Sequence, residues 1–201
     1  MPLELPAGLT LYFARHGQTE ANVEHRFSGY RDTPLTPLGL EQAAQVGAIL
    51  AREIGAAAGF SFVASPLARA VRTMQIAREA MGLPPDGFAT DNRLKEINLG
   101  TWDQLTDEEA RAQSPTLFSQ RGNDKWHVRV PGGENYAEVA ARVSDWVREL
   151  KADTVAVSHG ATTRILRGLL AGLDWRAMSS LDEPQGVVFR VRGAEVVRLD
   201  P

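Results

Sequence analysis

The sequence predicts an α/β fold in which helices pack on a parallel sheet, and three observations predict it. Leu9 to Ala14, Phe60 to Ala64 and Thr154 to Val157 are short, unbroken apolar or β-branched runs, the composition of strands buried on both faces. Each run stops abruptly, at Arg15-His16-Gly17, Ser65-Pro66 and Ser158-His159-Gly160. After each stop, apolar residues recur at helical spacing, which makes the β-α-β-α rhythm of a parallel sheet. With 201 residues, 43% of them hydrophobic, the chain suits one domain, 1–201, with a sizeable core.

The elements follow in order. After the first strand, a polar loop runs from Gln18 to Leu35. Thr36-Pro37 reads as an N-cap followed by proline at the first helical position, with Leu38, Ala43, Val46, Leu50 and Ile54 on one face and Gly55 as the stop. Ser65-Pro66 repeats the cap-plus-proline signal ahead of a helix carrying Ala70, Met74, Ala77 and Met81, stopped by Gly82. Leu83 to Thr90 is a connector, and Arg93 to Leu99 is a short edge strand or an extended loop. Thr106 and Glu109 form a capping-box pattern for a short helix that Pro115 ends. From Ser114 to Gly133 the pattern is irregular and polar, so about 101–133 is expected to be an excursion over the sheet. Asn135 to Lys151 is amphipathic, with Val139, Val143, Trp146, Val147 and Leu150 on its apolar face. An apolar helix, Ala161 to Leu170, follows the third strand, and Val187 to Val191 with Glu195 to Leu199 close the chain as a hairpin.

Composition narrows the function. A net charge of −3 offers no basic field for nucleic acid. Cysteine is absent, which excludes disulfides, thiolate zinc sites and cysteine-based catalysis. No apolar run approaches transmembrane length, and Met1 to Gly8 lacks the basic start and apolar core of a signal peptide, so a cytoplasmic enzyme without membrane attachment is expected.

In a parallel sheet the three strand ends share one edge, where ligands of α/β proteins bind. Arg15 and Arg69 would bring permanently charged planar forks there, and His16 and His159 would bring groups that titrate near neutrality. Helix N-termini add unpaired N–H groups, and the whole set suits a dianion. A zinc site on His16 and His159 lacks a His-Glu-Xaa-Xaa-His spacing, a thiolate and an obvious third ligand. Taken singly, Arg69 reads as a solvated helix residue and Glu96 as a surface carboxylate beside Lys95.

Arg15-His16-Gly17-Gln18-Thr19-Glu20-Ala21-Asn22, Phe27-Ser28-Gly29-Tyr30 with Asp32-Thr33-Pro34-Leu35-Thr36, Ser65-Pro66-Leu67 with Arg69-Ala70 and Thr73, Glu96-Ile97-Asn98-Leu99-Gly100-Thr101-Trp102, Pro131-Gly132-Gly133-Glu134 and Ser158-His159-Gly160 occur in that order over nearly the whole chain. On these motifs the chain resembles the histidine phosphatase superfamily, the branch holding cofactor-dependent phosphoglycerate mutase and its phosphatase relatives. The resemblance implies a three-layer α/β/α fold with a mostly parallel central sheet, phosphoglycerate mutase-like. It also implies that His16 takes the phosphoryl group as a phosphohistidine. Arg15, Arg69 and His159 would hold the phosphoryl oxygens. Glu96 would protonate the leaving oxygen and then take a proton from water. Asn22, Thr19, Ser28, Gly29 and Gly160 would complete the cradle or touch the rest of the substrate. No metal and no cofactor is implied.

Mutase members usually follow the acid closely with Tyr-Gly and carry a long insertion over the site. Glu96 is instead followed by Ile97-Asn98-Leu99, and the excursion is modest, which resembles the phosphatase branch. The expected activity is metal-independent hydrolysis of a small phosphorylated metabolite. Mutase-type transfer and non-catalytic binding of a phosphorylated ligand are the alternatives. Trp102, Trp126, Arg121, Lys125 and Arg129 are the candidate determinants of substrate choice; His25 is read as a surface histidine, and so is His127, which could also line the site.

Overall fold

The computed structural model describes residues 3–55, 57 and 59–201. Six strands form a single sheet in the order β3-β2-β4-β1-β5-β6. The strands are β1 (Thr10–Arg15), β2 (Ser61–Ala64), β3 (Ala89–Thr90), β4 (Thr154–Ser158), β5 (Val188–Arg192) and β6 (Glu195–Leu199). β3, β2, β4 and β1 run parallel, and the C-terminal hairpin β5-β6 adds two antiparallel strands beside β1. Eight helices are present among the described residues: α1 (Glu20–Val23), α2 (Pro37–Ile54), α3 (Ala68–Ala80), α4 (Asp107–Gln113), α5 (Pro115–Asn123), α6 (Tyr136–Arg148), α7 (Gly160–Leu170) and α8 (Trp175–Ser179). None is long and apolar enough to cross a membrane.

Alternation along the strands makes the three layers. Tyr12 and Ala14 of β1 face one side, where they join Val155 and Val157 and the apolar stripes of α2 and α3. Leu11 and Phe13 face the other, against Trp146 and Val147 of α6 and Leu166 and Leu170 of α7. Each fully buried side chain of this kind contributes about 1.5–3 kcal/mol. Both faces of the sheet are covered, as the unbroken apolar strands require.

The helix signals in the sequence hold for α2, whose N-cap Thr36 accepts from the Gly39 N–H and whose stop, Gly55, has φ 57°. They hold for α4 and α6 too, which carry complete capping boxes from Thr106–Glu109 and Asn135–Glu138. Four expectations are corrected. The 18–35 loop contains α1, capped by Thr19 and Asn22 in a box that uses Asn where Glu or Gln is usual. Ser65 does not cap α3: the helix begins after Leu67, and the Ser65 hydroxyl turns inward instead. The edge strand is β3 within the connector, while Asn92–Leu94 is a 3-10 turn capped by Asp91. Pro115 ends α4 but also opens α5, because proline at a first helical position forfeits no hydrogen bond.

α2 and α3 approach closely at Gly47, where a Cβ would collide with the backbone carbonyl of Ala77. Gly47→Ala is therefore expected to destabilise the fold by about 1–3 kcal/mol in denaturant unfolding, since backbone rather than a flexible side chain must yield. Gly122→Ala, near the end of α5 with open space around its Cβ, is the control and should be neutral or stabilising by up to about 1 kcal/mol. Equal losses in both would refute this account of the helix packing.

Candidate active site

Register places the three strand ends side by side. Arg15 pairs with Ser158 and Ala14 with Val157 across β1 and β4, and Ala64 pairs with Val157 across β2 and β4. The His16 N–H then donates to Ser158 O at 2.9 Å, and the Ser65 N–H donates to Val157 O at 2.9 Å. His16 and His159 consequently meet edge to face, with ring centroids 5.1 Å apart.

His16 is buried, and its tautomer is determined by its two neighbours. Nδ1 lies 2.7 Å from Gly17 O, which can only accept, so Nδ1 carries the proton. Nε2 lies 3.3 Å from Arg69 Nε, which can only donate, so Nε2 holds a lone pair. Burial, then Arg15 and then Arg69, push the imidazole well below its ordinary value, which keeps it neutral at physiological pH. Gly17 must be glycine because a Cβ would strike the backbone of Gly39.

Arg69 is not the solvated residue that its spacing suggests: its side chain is wholly buried. All five guanidinium N–H donors have acceptors. Nη1 serves Arg31 O and Asp32 Oδ1, Nη2 serves Ser28 O and Gly29 O, and Nε serves His16. One side chain thus ties the 28–32 loop to the imidazole. Thr73 reinforces it, donating to Arg69 O at 2.8 Å and accepting from the Gly17 N–H at 3.1 Å.

His159 is likewise buried and pushed well below its ordinary value, by burial first and then Arg69, His16 and Arg15. Its Nε2 lies 2.7 Å from Ser65 Oγ, which already accepts from the Leu67 N–H. Where the Ser65 hydroxyl donates to Nε2, the proton of a neutral His159 sits on Nδ1, a buried nitrogen without a protein partner.

Glu96 is 8% exposed, which corrects its reading as a surface carboxylate. It reaches the N-terminus of α7, where Oε2 accepts from the Ala161 N–H and Oε1 from the Thr162 N–H, each at 3.2 Å; Oε1 also accepts from the Ile97 N–H at 2.9 Å. Burial raises the carboxyl and the Glu183 charge raises it further, while the Ile97 N–H, Arg69 and Arg15 pull the other way; the net direction is up. Arg142 steadies this segment by donating to Glu96 O and to Glu134, whose Oε2 accepts from the Asn98 N–H. That is the structural use of Glu134 in the Pro131-Gly132-Gly133-Glu134 motif.

These residues open onto a cleft of about 490 Å³. Arg15, His16, Asn22, Ser28 and Glu96 line it, as do Trp102, Arg121 and Lys125 from the 101–133 segment. Arg69 and His159 are buried against the His16 ring and are not among the lining residues. Thr19 is fully buried with its hydroxyl on α1, and Gly29 presents its carbonyl to Arg69 and its N–H to Asp103, so neither lines the cleft. Gly160 makes room for Glu183, since a Cβ there would lie 2.6 Å from Glu183 Oε2. Trp126 and Arg129 lie outside the lining, Arg129 being paired with Glu138, and His127 is exposed and bonded to Asp124. Among the described residues, no three His, Asp or Glu side chains are placed to share a metal ion.

Sequence reasoning missed Glu183, Arg164, Tyr136 and Gln185. Glu183 accepts from Arg15 Nη1 through its carbonyl at 2.7 Å and pairs with Arg164 at 3.1 Å. Gln185 bridges His16 O and Asn22 Oδ1. Glu183 and Gln185 sit in an irregular stretch between α8 and β5, where no periodicity could mark them. Arg164 does carry a signal, lying one helical turn after Gly160 and so on the face of α7 that looks at the strand ends.

The chain is 32% identical over 190 residues to the 2,3-bisphosphoglycerate-dependent phosphoglycerate mutase of Azorhizobium caulinodans, covering 90% of this chain and 85% of that one. Among solved structures it is similar to the mycobacterial glucosyl-3-phosphoglycerate phosphatase, with 29% identity, TM-score 0.76 and coverage of 96% and 98%. It shares its fold with the alpha-ribazole phosphatase of Shigella flexneri, with TM-score 0.82, 24% identity and coverage of 96% of each chain. The chain belongs to the histidine phosphatase superfamily (branch 1), whose family model matches residues 11–195, from within β1 to the first residue of β6.

Proposed function

We propose that this protein hydrolyses phosphomonoesters of small metabolites through a phosphohistidine formed on His16, without a metal ion. The observation that carries the proposal is the His16 ring held between Gly17 O at Nδ1 and Arg69 Nε at Nε2, which puts the proton on Nδ1 and a lone pair on Nε2. Nε2 attacks the phosphoryl group, the bond from phosphorus to the ester oxygen breaks, and Glu96 gives its proton to that oxygen. Water then attacks the phosphohistidine while the Glu96 carboxylate accepts its proton, and the P–N bond breaks to restore the lone pair. Arg15, the Nδ1–H of His159 and Arg69 Nε, which passes from Nε2 to a phosphoryl oxygen, offset the charge on the transferring group. Asn22 and Ser28 border the substrate, and Thr19, Gly29 and Gly160 shape the cradle from behind.

Glu96 supports the acid role, because a buried carboxyl raised above its ordinary value is fit to protonate an unactivated leaving oxygen, a step that hydrolysis and mutase transfer share. The mutase reading is supported by the names of the curated relatives, since the Azorhizobium protein and others at 33% identity, from Sinorhizobium fredii and Escherichia coli among them, are called phosphoglycerate mutases. It requires that the phosphohistidine return its phosphoryl group to a second hydroxyl rather than to water.

His16→Ala should lower kcat/KM by at least about 10⁴-fold for every ester, as removal of a nucleophile does. Phosphate release by the native protein should persist in EDTA. 3-Phosphoglycerate, followed with and without 2,3-bisphosphoglycerate, should yield inorganic phosphate; isomer formation without net release would replace the hydrolase by the mutase. Glu96→Gln should slow alkyl phosphates by about 10²–10⁴-fold and activated aryl phosphates far less, whereas equal slowing would remove Glu96 from the acid role.

The acid also sets a pH dependence. Glu96 works protonated, so kcat/KM for alkyl esters should fall as pH rises through its elevated value, and His16 should lose its lone pair only well below ordinary histidine pH. Glu183→Gln removes a charge that raises Glu96 and should move the alkaline limb to lower pH. An unmoved limb would show that it does not report Glu96.

A further inference from the structure

The cleft holds a second group of cations apart from His16. Arg121 is 7% exposed, yet no carboxylate pairs with it among the described residues; Nη1 donates to Val128 O at 2.8 Å. A guanidinium buried without a counter-ion is unfavourable in the free protein, and an anionic ligand would relieve that cost. Lys125, in the turn just after α5 and also lining the cleft, has no acidic partner among the described residues either. Burial first, then Arg164 and Arg121, press its ammonium below the ordinary lysine value; Glu183 and Asp107 act the other way. Asp107 lines the same cleft without pairing with either cation.

The arrangement is built in, through bonds that link it to the nucleophile. The Tyr136 N–H donates to Lys125 O at 3.0 Å, Arg164 Nη1 donates to the Tyr136 hydroxyl at 3.0 Å, and Arg164 Nη2 pairs with Glu183, which also holds Arg15. Glu183 is therefore already taken by Arg15 and Arg164, and Arg121 and Lys125 are left without a carboxylate. The wall they share is aromatic: Phe27 stacks on Trp102 at 6.0 Å and Phe118 packs against it, tilted by 40°, at 5.7 Å. The Trp102 Nε1–H is buried without an acceptor.

We propose that Arg121 and Lys125 form a second anion subsite, and that the substrate is a phosphomonoester bearing a carboxylate or second phosphate on a partly apolar body. This rests on the hydrolase reading of His16 but is tested apart from it. Two series of esters, plain alkyl phosphates and ω-carboxyalkyl phosphates of increasing chain length, differ only in the distal charge; α,ω-alkanediol bisphosphates form a third. At the length that spans the cleft, native kcat/KM should favour the distally charged ester by about tenfold or more, the size of one charge-assisted hydrogen bond. Preference for the bisphosphates over the carboxylates identifies phosphate as the distal anion and supports the subsite equally.

In Lys125→Met the ratio of charged to plain ester should fall towards one, and Lys125→Arg should restore it. A ratio near one at every length in the native protein, or a ratio unaltered in Lys125→Met, overturns the proposal. Calorimetric titration with ω-carboxyalkyl phosphonates against alkyl phosphonates makes the same comparison without turnover. A charged-ligand preference there with no hydrolysis of any ester would keep the subsite and reject the hydrolase; hydrolysis of both series with no preference would do the reverse.

Discussion

The register of β1 against β4, and of β4 against β2, is the constraint on which the site depends. A slip of one residue in either pairing would turn every side chain of the moved strand to the opposite face. It would drive Leu11 and Phe13 into the core packed around Tyr12 and Ala14, and the reverse, so the two cores enforce the alignment. That alignment, with no further adjustment, leaves Arg15-His16, Ala64-Ser65 and Ser158-His159 adjacent at one edge. The backbone bonds His16 N–H to Ser158 O and Ser65 N–H to Val157 O carry the ladder one residue past β1 and β2. Hydrophobic burial, which is non-directional, thus becomes directional at the site through the sheet.

Behind the cleft, each reacting group is oriented by atoms that leave it one option. Carbonyl 17 can only accept, and the Arg69 Nε–H can only donate, so the His16 tautomer follows. The Ser65 hydroxyl, 2.7 Å from Nε2, holds the His159 ring in place. Glu96 takes the α7 N-terminus, which His159 as N-cap leaves without a side-chain cap. The price is donors without acceptors: Arg15 Nε, Arg164 Nε, Trp102 Nε1 and His159 Nδ1 are all buried, and all lie in or beside this cleft. Such concentration of unmatched donors favours a ligand rich in oxygen acceptors.

Much of this was legible in the sequence because the signals are local. A buried strand, its abrupt end, a Thr-Pro helix start and a Thr-Xaa-Xaa-Glu box each lie within a few residues, and β1, α2, α4 and α6 fall where those signals put them. The missing parts are those fixed by distant partners. α1 is a single turn whose box uses Asn22, and α5 shows no strong apolar face. Arg69 and Glu96 look like solvent-facing charges in their own segments; only the 28–32 loop and α7, brought in by the fold, bury them. For Glu183 and Gln185 no local pattern exists, since both act on β1 across more than 160 residues of chain.

In the proposed hydrolysis, Glu183 links Arg15, which would hold the phosphoryl group, to Glu96, which would act as the acid. Its backbone carbonyl accepts from Arg15 and its carboxylate pairs with Arg164, while its negative charge adds to burial in raising the Glu96 carboxyl. A phosphoryl dianion arriving beside Arg15 brings a second negative charge towards Glu96, of the same sign as Glu183. Like charge in a desolvated site favours the neutral form of the acid. Binding therefore strengthens the protonation state that the first step consumes, and departure of the leaving group leaves a carboxylate between two negative neighbours. That carboxylate is a better proton acceptor than one in water, which is what the second step requires. A single buried carboxyl can serve both steps here because its surroundings make it reluctant to hold charge before transfer and eager to lose it afterwards.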